Sequence, residues 1–271
     1  MKPIIKYTGG KKQEIPIFKK WLNIEYDRYV EPFVGGGAVY FYLQPQNALI
    51  NDLNPQLINF YKEVAFNRDN LISELKTMKN EEDFYYKIRD MYNDIIPKEF
   101  SDAAIFAYIN RTAFSGMIRH SQGKKDENGN WIEKPKFNVP FGRYKTFHPW
   151  DFLTEEASDL LKTTEIRNQD FSEIFNELTE NDFVFLDPPY MSTFDKYMPD
   201  GFNLEQHKKL AECFKNSPAK ILAVISDMGC IRELYSDYIK EEYDKNYAIN
   251  IRNRMKDITE AKHLVITNYD I

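Results

Sequence analysis

The chain has 271 residues, of which 42% are hydrophobic and 15% aromatic, and this is enough to bury the core of a large domain with a smaller lobe. Its two cysteines are too few for a disulfide framework, and neither is spaced with one of the four histidines as zinc ligands are, so we expect no bound metal. No apolar run has the length of a signal peptide or a membrane span, which predicts a cytoplasmic protein with no membrane partner.

The charge is unevenly distributed along the chain, although its net value is only −6. Residues 1–20 contain six lysines and one glutamate, and residues 111–145 contain eight basic and three acidic side chains, so each stretch has a net charge of +5. Residues 151–190 contain eleven acidic and two basic side chains. Two basic stretches that meet on one face would form the footprint of a protein that binds a phosphate backbone, and two solvated loops are the alternative.

The first predicted elements alternate between strand and helix. The segment "EIPIFKKWL" (14–22) has helical apolar spacing, and "YDRYVEPFVGGGAVYFYL" (26–43) has the pattern of a short strand, a glycine turn and a helix. A second strand at 48–50, a turn at 51–54 and an amphipathic helix follow. This is the β-α-β-α beginning of an α/β fold.

The middle of the chain differs from its two ends. Residues 67–109 are predicted to be helical with an interruption at Pro97, and residues 110–146 lose periodicity around "KKDENGNW", which predicts a hairpin or a loop. Alternation then resumes, with helices predicted at 154–162, 203–215 and 230–238 and strands at 164–169, 182–187, 220–226 and 263–269. Two pieces of an α/β sheet therefore flank a helical, loop-rich insertion.

Two signals follow the first two predicted strands. Gly35, Gly36 and Gly37 lie between a strand and a helix, where a backbone without Cβ atoms can approach a ligand, although a plain glycine turn has the same appearance. The G-x-G-x-x-G spacing of a dinucleotide site is absent because position 40 is Tyr40. Asp52 ends the second strand, where a carboxylate can accept both ribose hydroxyls of a nucleoside or, alternatively, cap the next helix.

The tetrapeptide "DPPY" (187–190) at the end of a buried strand is the most specific signal. Each proline fixes φ and removes a backbone donor, which leaves the Asp187 carboxylate and the Pro188 carbonyl as neighbouring acceptors. Two convergent acceptors match a planar amino group, and Tyr190 supplies a ring on which a base can stack. The alternative is a turn that merely ends the strand.

With these motifs the chain resembles the Dam-type, amino-group DNA methyltransferases that use S-adenosylmethionine. Four segments carry the resemblance in the family's order: "KYTGGK" (6–11), the glycine loop "EPFVGGG" (31–37), "FNVPFGRYK" (137–145) of the target-recognition domain, and the catalytic "DPPY". The resemblance implies a Rossmann-like methyltransferase sheet with an inserted helical target-recognition domain. It also implies transfer of a methyl group to N6 of adenine in double-stranded DNA after base flipping. The corresponding domains are 1–56 and 147–271 for catalysis and 57–146 for recognition.

The resemblance assigns a role to individual residues. The implied catalytic residues are Asp187, Pro188, Pro189 and Tyr190. The implied cofactor-binding residues are Tyr7, Lys11, Phe33, Gly35, Gly37, Asp52, Asp170 and Phe171. The implied DNA-binding residues are Lys6, Arg111, Phe114, Ser115, Met117, Arg119, Asn138, Pro140 and Arg143, with Phe114 at the position of the family's intercalating tyrosine.

Two departures from the family pattern leave the recognised DNA sequence open. Ser115 replaces an asparagine, and the hairpin at 124–136 is longer than in the GATC enzymes. The sequence also leaves open the oligomeric state and the existence of a cognate restriction endonuclease, which the activity would not require. Competing hypotheses are a cytosine-N4, RNA or protein-amide methyltransferase, an inactive DNA-binding module and a nicotinamide oxidoreductase; the intact "DPPY" argues against the inactive module and the glycine spacing against the oxidoreductase.

Overall fold

The computed structural model describes residues 1–7, 9–117, 119–121, 123–127, 130–189, 202–245 and 261–271. The chain forms two compact units. The first unit comprises Met1–Gln13, Val34–Gln46 and Asp52–Asn168, and the second comprises Glu14–Phe33, Asn47–Asn51 and Gln169–Ile271. The predicted recognition domain, 57–146, lies within the first unit, and its functional boundaries stay a prediction.

The secondary structure is numbered along the chain. The strands are β1 (Arg28–Glu31), β2 (Ala48–Asn51), β3 (Lys124–Lys125), β4 (Trp131–Glu133), β5 (Thr164–Arg167), β6 (Asp182–Leu186), β7 (Lys220–Ser226), β8 (Ile239–Lys245) and β9 (Ala261–Thr267). The α-helices are α1 (Ile15–Phe18), α2 (Ala38–Leu43), α3 (Pro55–Phe66), α4 (Arg68–Thr77), α5 (Glu82–Tyr92), α6 (Asp102–Thr112), α7 (Glu155–Lys162), α8 (Phe171–Phe175), α9 (Leu204–Asn216) and α10 (Gly229–Leu234).

Six strands of the second unit form one mixed sheet in the order β2-β1-β6-β7-β9-β8. The first four are parallel, and the central β1 places Val30 opposite both Leu49 of β2 and Val184 of β6. Strand β9 runs antiparallel between β7 and β8. A mixed α/β architecture with a mostly parallel sheet is the fold class predicted from the sequence, and this prediction is confirmed.

The parallel strands are apolar because helices cover both faces of such a sheet. Every residue of β6 is buried, and the side chains of Val184, Leu186 and Ile221 pack in one core with α8 and α9. The polar exception at the start of β6 is Asp182, whose carboxylate accepts two hydrogen bonds from the Arg28 guanidinium at the start of β1. This pair satisfies a buried charge and fixes the register of two neighbouring strands.

The first unit is mainly helical. Asn54 caps α3 by accepting from two backbone N–H groups, and Pro55 occupies the first helical position, as helix starts favour. Aromatic side chains from α3, α5 and α6 fill the core, including the buried Phe60, Tyr85 and Tyr108. Strands β3 and β4 pair as the hairpin that the sequence predicted.

Most predicted elements are confirmed, and the differences are local. The helix predicted at 230–238 ends at Leu234 and is followed by a 3-10 turn over Ser236–Tyr238. The five-residue helix α8 and the strand β8 were not predicted. In β8, exposed charged residues alternate with half-buried ones, which is typical of an edge strand protected against further pairing.

Candidate active site

The carboxyl ends of four parallel strands lie at one edge of the sheet in the second unit. Phe33 follows β1, Asn51 ends β2 and Asp187 follows β6, so these residues come to the edge where α/β sheets bind their ligands. Asp187 is half-buried, Pro188 is buried and Pro189 is exposed. Neither proline carries a backbone N–H, which removes two donors that would otherwise compete for the Asp187 carboxylate.

Phe33 belongs to a cluster of aromatic rings in the second unit. Its ring centroid lies 5.3 Å from that of Phe171 and 5.4 Å from that of Phe202, and the last two are 5.7 Å apart. The structure thus brings together the two predicted cofactor-binding phenylalanines. It adds Phe202, which sequence reasoning missed because its spacing in "GFNLEQ" carries no motif.

Asp170 combines a structural role with the predicted ligand role. Its Oδ1 caps α8 by accepting from the Ser172 backbone N–H at 3.0 Å, and it accepts from Lys209 Nζ at 3.1 Å. Burial alone raises the pKa of Asp170, but the hydrogen bonds from Ser172 and Lys209 outweigh it and hold the pKa below its ordinary value. The carboxylate is therefore ionised at neutral pH and can accept hydrogen bonds from a ligand.

Asn51 is a second residue that sequence reasoning missed. Its side chain is buried, and its Nδ2 donates to the Pro32 carbonyl and to the Gln169 carbonyl, at 3.0 Å in each case. It therefore fixes the residue before Phe33 and the residue before Asp170. A neutral amide at the end of a strand carries no charge or motif that predicts such a role, whereas the neighbouring Asp52 was predicted from its carboxylate.

In the first unit, Asp52 is tied to the glycine loop. Its Oδ2 accepts from the Gly35 backbone N–H at 3.0 Å, and its Oδ1 accepts from the Asn54 backbone N–H at 2.9 Å. Burial raises the pKa of Asp52, and the backbone donors at Asn54, Gly35 and Leu53 partly offset this. Asn54, not Asp52, is the N-cap of α3, so the capping alternative for Asp52 is wrong. Each carboxylate oxygen keeps acceptor capacity for a hydroxyl group.

The glycine loop requires glycine for two reasons, the positive φ angles of its backbone and the close approach of a neighbouring side chain. Gly35 and Gly37 have φ angles of 45° and 65°, in the region that residues with a Cβ rarely adopt. A Cβ on Gly36 would lie 2.8 Å from Tyr7 Cβ, because Tyr7 packs directly on the loop. The predicted Lys11 is buried in the same unit, with its Nζ 3.4 Å from the Gly9 carbonyl oxygen.

Most of the predicted DNA-binding residues of the first unit lie on or next to a short turn after α6 or on the segment 137–144. Phe114 is 47% exposed, and its backbone N–H donates to the Pro140 carbonyl at 2.9 Å. Ser115 has a φ of 56°, which directs the chain back toward Met117. An exposed aromatic ring on a turn that is fixed by backbone hydrogen bonds is suited to insertion between bases.

The same segment is held in place by polar side chains of the helices. Tyr85 donates to the Val139 carbonyl at 2.8 Å, and the Asn93 side chain donates to and accepts from the backbone of Phe137 at 3.0 and 2.7 Å. Arg119 Nε donates to Asn138 Oδ1 at 3.0 Å, so the exposed side chain predicted to contact a base and an exposed side chain predicted to face DNA orient each other.

The other predicted DNA-binding cations already have partners within the protein. Arg143 forms an exposed ion pair with Glu82, whereas the Arg111 guanidinium donates to the Ile4 carbonyl at 2.6 Å and lies 3.6 Å from the ring centroid of Phe152. Burial lowers the pKa of Arg111 to about 10, so it remains charged at neutral pH. A contact of Arg111 with DNA stays a prediction.

The family to which these motifs belong is decided by comparison with known proteins. Residues 7–249 match the family model of the D12 class N6 adenine-specific DNA methyltransferases. The chain belongs to this family. The enzyme class predicted from the sequence is therefore confirmed: the protein is an adenine-specific DNA methyltransferase, which requires a methyl donor and a DNA substrate.

Individual relatives of this D12 methyltransferase are similar over most of their length. The type II methyltransferase M.CviBI of Paramecium bursaria Chlorella virus NC1A is 37% identical over 275 residues, which cover 99% of this chain and 100% of the viral protein. The type II methyltransferase M1.LlaDCHI of Lactococcus lactis subsp. cremoris is 34% identical over 99% of this chain and 96% of its own. The DNA adenine methylase of Haemophilus influenzae is 30% identical over 87% of this chain and 83% of its own.

Among the residues that the structure describes, no helix combines the length and the apolar character needed to cross a membrane.

Proposed function

We propose that this methyltransferase uses S-adenosylmethionine as the donor and that Asp187 and Pro188 hold the target adenine amino group. The observation that carries the proposal is the position of Asp187-Pro188-Pro189 directly after β6, at the same sheet edge as Phe33 after β1. S-adenosylmethionine supplies an electrophilic methyl group on a sulfonium centre. The residues of the chain need only bind it, orient the amino group and exclude water.

The donor-binding residues provide the chemistry that a nucleoside with an amino-acid tail requires. We assign the ribose hydroxyls to Asp52, whose carboxylate is fixed by Gly35 and Asn54 and retains free acceptor positions. We assign the adenine ring to the faces of Phe33 and Phe171 and its polar edge to Asp170. Tyr7, Lys11, Gly35 and Gly37 complete the predicted set.

Asp187 and Pro188 act on the amino group by orientation and electrostatics. The lone pair of an adenine amino nitrogen is delocalised into the ring, and a carboxylate is far too weak a base to deprotonate that group. Hydrogen bonds from both amino protons to the Asp187 carboxylate and the Pro188 carbonyl favour a pyramidal nitrogen, which frees the lone pair. As the nitrogen gains positive charge, the Asp187 carboxylate stabilises it. The N–C bond forms as the S–C bond of the donor breaks, S-adenosylhomocysteine leaves, and the excess proton on the nitrogen passes to water.

A base inside a duplex cannot reach this position, so the adenine must leave the stack. Extrusion costs a few kcal/mol, which contacts in the complex have to offset. We propose that the exposed ring of Phe114 fills the space left in the duplex and that Tyr190, which lies outside the described residues, stacks on the extruded base. Pro189 serves to keep the tetrapeptide rigid.

The partner in this proposal is double-stranded DNA. Arg119 and Met117 would contact base edges, while Lys6, Ser115, Asn138, Pro140 and Arg143 would contact the duplex around them. A cognate restriction endonuclease is not needed for this chemistry.

Analysis of host DNA tests the proposed function. DNA from cells that express the protein, digested to nucleosides and analysed by mass spectrometry, should contain N6-methyladenine above the level of cells without it. Purified protein should bind S-adenosylmethionine in calorimetry. Accumulation of N4-methylcytosine, or methylated RNA with unmodified DNA, would reject the proposed target.

A further inference from the structure

The N-terminal segment of the first unit is joined to the end of α6 by one buried side chain. Asn110 Nδ2 donates to the Lys6 carbonyl at 2.6 Å, and Asn110 Oδ1 accepts from the Lys6 backbone N–H at 3.0 Å. Asn110 is only 1% exposed. An amide side chain that pairs with both the backbone N–H and the carbonyl of one residue takes the place of a neighbouring strand. The two hydrogen bonds fix the position and the orientation of that residue.

The recognition turn after α6 packs against the same residue. A Cβ on Gly116, whose φ is 62°, would lie 2.8 Å from Lys6 Cδ and 3.5 Å from the Asn110 carbonyl oxygen. The turn from Phe114 to Gly116 follows α6 directly. A displacement of Lys6 relative to Asn110 would therefore change the position of the turn that presents Phe114.

On its other side the N-terminal segment meets the donor loop. Tyr7, the residue after Lys6, packs on the glycine loop, where a Cβ on Gly35 would lie 3.0 Å from Tyr7 Cε1. Gly35 in turn donates to Asp52, to which we assign the donor ribose. Lys6 and Tyr7 are thus consecutive residues with the recognition turn on one side and the donor loop on the other, all within the first unit.

We propose that Asn110 is a positioning residue that couples methyl-donor binding to DNA binding. This inference rests on the proposed function, because it takes the glycine loop and Asp52 as donor-binding groups. Ordering of Tyr7 by the donor is transmitted through the Lys6 backbone to Asn110, which holds the Phe114 turn in the conformation that binds DNA. Hydrogen-bond networks and packed side chains carry coupling of this kind, and linkage makes it reciprocal, so DNA must strengthen donor binding by the same factor.

The coupling is measured as a ratio of dissociation constants. The probes are a duplex that contains the methylated site mapped in host DNA and S-adenosylhomocysteine, which occupies the donor site without reacting. For the unaltered chain we expect saturating S-adenosylhomocysteine to tighten duplex binding by about 5- to 150-fold, the usual range for linked sites. In Asn110→Ala the ratio should fall to about 1, since both hydrogen bonds to Lys6 are lost, although each ligand still binds alone.

The control is a second asparagine of the same unit whose side chain also donates to and accepts from the backbone of one residue. Asn93 pairs with the backbone of Phe137, and within the described part of the chain its side-chain hydrogen bonds do not reach the N-terminal segment. Asn93→Ala should weaken duplex binding with and without S-adenosylhomocysteine by the same factor and leave the ratio unchanged. If Asn110→Ala does not fold, Asn110→Asp serves, because it keeps the side-chain shape and the acceptor for the Lys6 N–H and replaces the donor to the Lys6 carbonyl by a carboxyl oxygen.

The outcomes separate this inference from the proposed function. A ratio that is unchanged in the Asn110 variant, that falls equally in both variants, or that is close to 1 in the unaltered chain would overturn the coupling role, even when the chain methylates adenine. Absence of N6-methyladenine and of S-adenosylhomocysteine binding would instead reject the proposed function. A merely structural Asn110 would lower the melting temperature and leave the ratio intact.

Discussion

Asn51 and Gln169 form a closed pair of hydrogen bonds at the sheet edge of the second unit. Asn51 Nδ2 donates to the Gln169 carbonyl, and the Gln169 backbone N–H donates to Asn51 Oδ1, each at 3.0 Å. The same Nδ2 also donates to Pro32. One buried amide thus joins the end of β2 to Pro32, which directly precedes Phe33, and to Gln169, which lies two residues before Phe171. Phe33 and Phe171 are the two proposed adenine-binding phenylalanines.

Asn51→Asp should weaken donor binding more than DNA binding. The substitution keeps the shape of the side chain but removes the Nδ2 donor and leaves buried carbonyls unpaired, at a cost of about 1–3 kcal/mol. We expect the Kd for S-adenosylhomocysteine in calorimetry to rise about tenfold, which corresponds to about 1.4 kcal/mol, in the lower part of that range, with little change in the Kd for duplex DNA.

Asn47→Asp is the matched control, because Asn47 donates to the Asp27 carbonyl at the exposed surface of the same unit. The affinity of Asn47→Asp for S-adenosylhomocysteine should equal that of the unaltered chain. If Asn51→Asp also binds S-adenosylhomocysteine as tightly as the unaltered chain does, the hydrogen bonds of Asn51 do not position the methyl-donor site.

The pair of Arg28 and Asp182 predicts how stability depends on pH. Although burial raises the pKa of Asp182, its hydrogen bonds with Arg28 and with the Thr179 backbone hold the folded-state pKa below the ordinary value of 3.8. A depressed folded-state pKa contributes stability above the unfolded-state pKa, and this contribution is lost as the pH falls through the folded-state pKa. Asp182→Asn should therefore lower the free energy of unfolding in urea by about 1–3 kcal/mol at pH 7.

The difference between Asp182→Asn and the unaltered chain should shrink steadily as the pH is lowered from 5 to below 3. A difference that stays constant over this interval would contradict the proposed ionic role of Asp182.

Arg119 and the lysines of the hairpin should affect DNA binding in different ways. Arg119→Ala should relax the choice of sequence and cost about 1–3 kcal/mol at the cognate site, because it removes a base contact. Lys124→Ala and Lys125→Ala should weaken all duplexes about equally and reduce the salt dependence of binding, because we expect these two lysines of the basic stretch 111–145 to contact phosphates. Binding titrations with cognate and altered duplexes at several salt concentrations measure both effects. Unchanged discrimination in Arg119→Ala would remove it from the base-reading residues.

Phe114→Ala should impair extrusion of the target base. The loss of a wedge that offsets a few kcal/mol of unstacking should reduce the fluorescence increase of 2-aminopurine at the target position. Phe66→Ala provides the comparison, since Phe66 is 67% exposed on α3 and has no proposed DNA contact. If the fluorescence increase in Phe114→Ala equals that in Phe66→Ala, another group fills the space that the extruded base leaves in the duplex.

The sequence predicted the parallel core and the strand-end motifs because both are local patterns. Continuous apolar runs such as 183–186 predict buried strands, and glycines or prolines at their ends mark the loops that bind ligands. Strand β8 escaped prediction because its charged residues have no hydrophobic periodicity of their own, and the pairing partner β9 lies some twenty positions further along the chain.

The polar bridges could not be predicted for a related reason. Asn51 bonds to a residue 118 positions away and Asn110 to one 104 positions away, and a neutral amide carries no signal of such a partner in the sequence. Asp52 was recognised as a ligand candidate from its place after a strand, but only the structure shows that Asn54 takes over the helix cap. Tyr190 was predicted from its motif and lies outside the described residues.

The rate of methyl transfer in Asp187→Ala tests the central claim most directly. In a single-turnover reaction with labelled S-adenosylmethionine and the mapped duplex, we expect the rate to fall by about 10²–10³-fold or more, as for other lost transition-state contacts. The Kd values for S-adenosylhomocysteine and duplex should stay within a few-fold of the unaltered chain. Transfer by Asp187→Ala at close to the original rate would contradict the account.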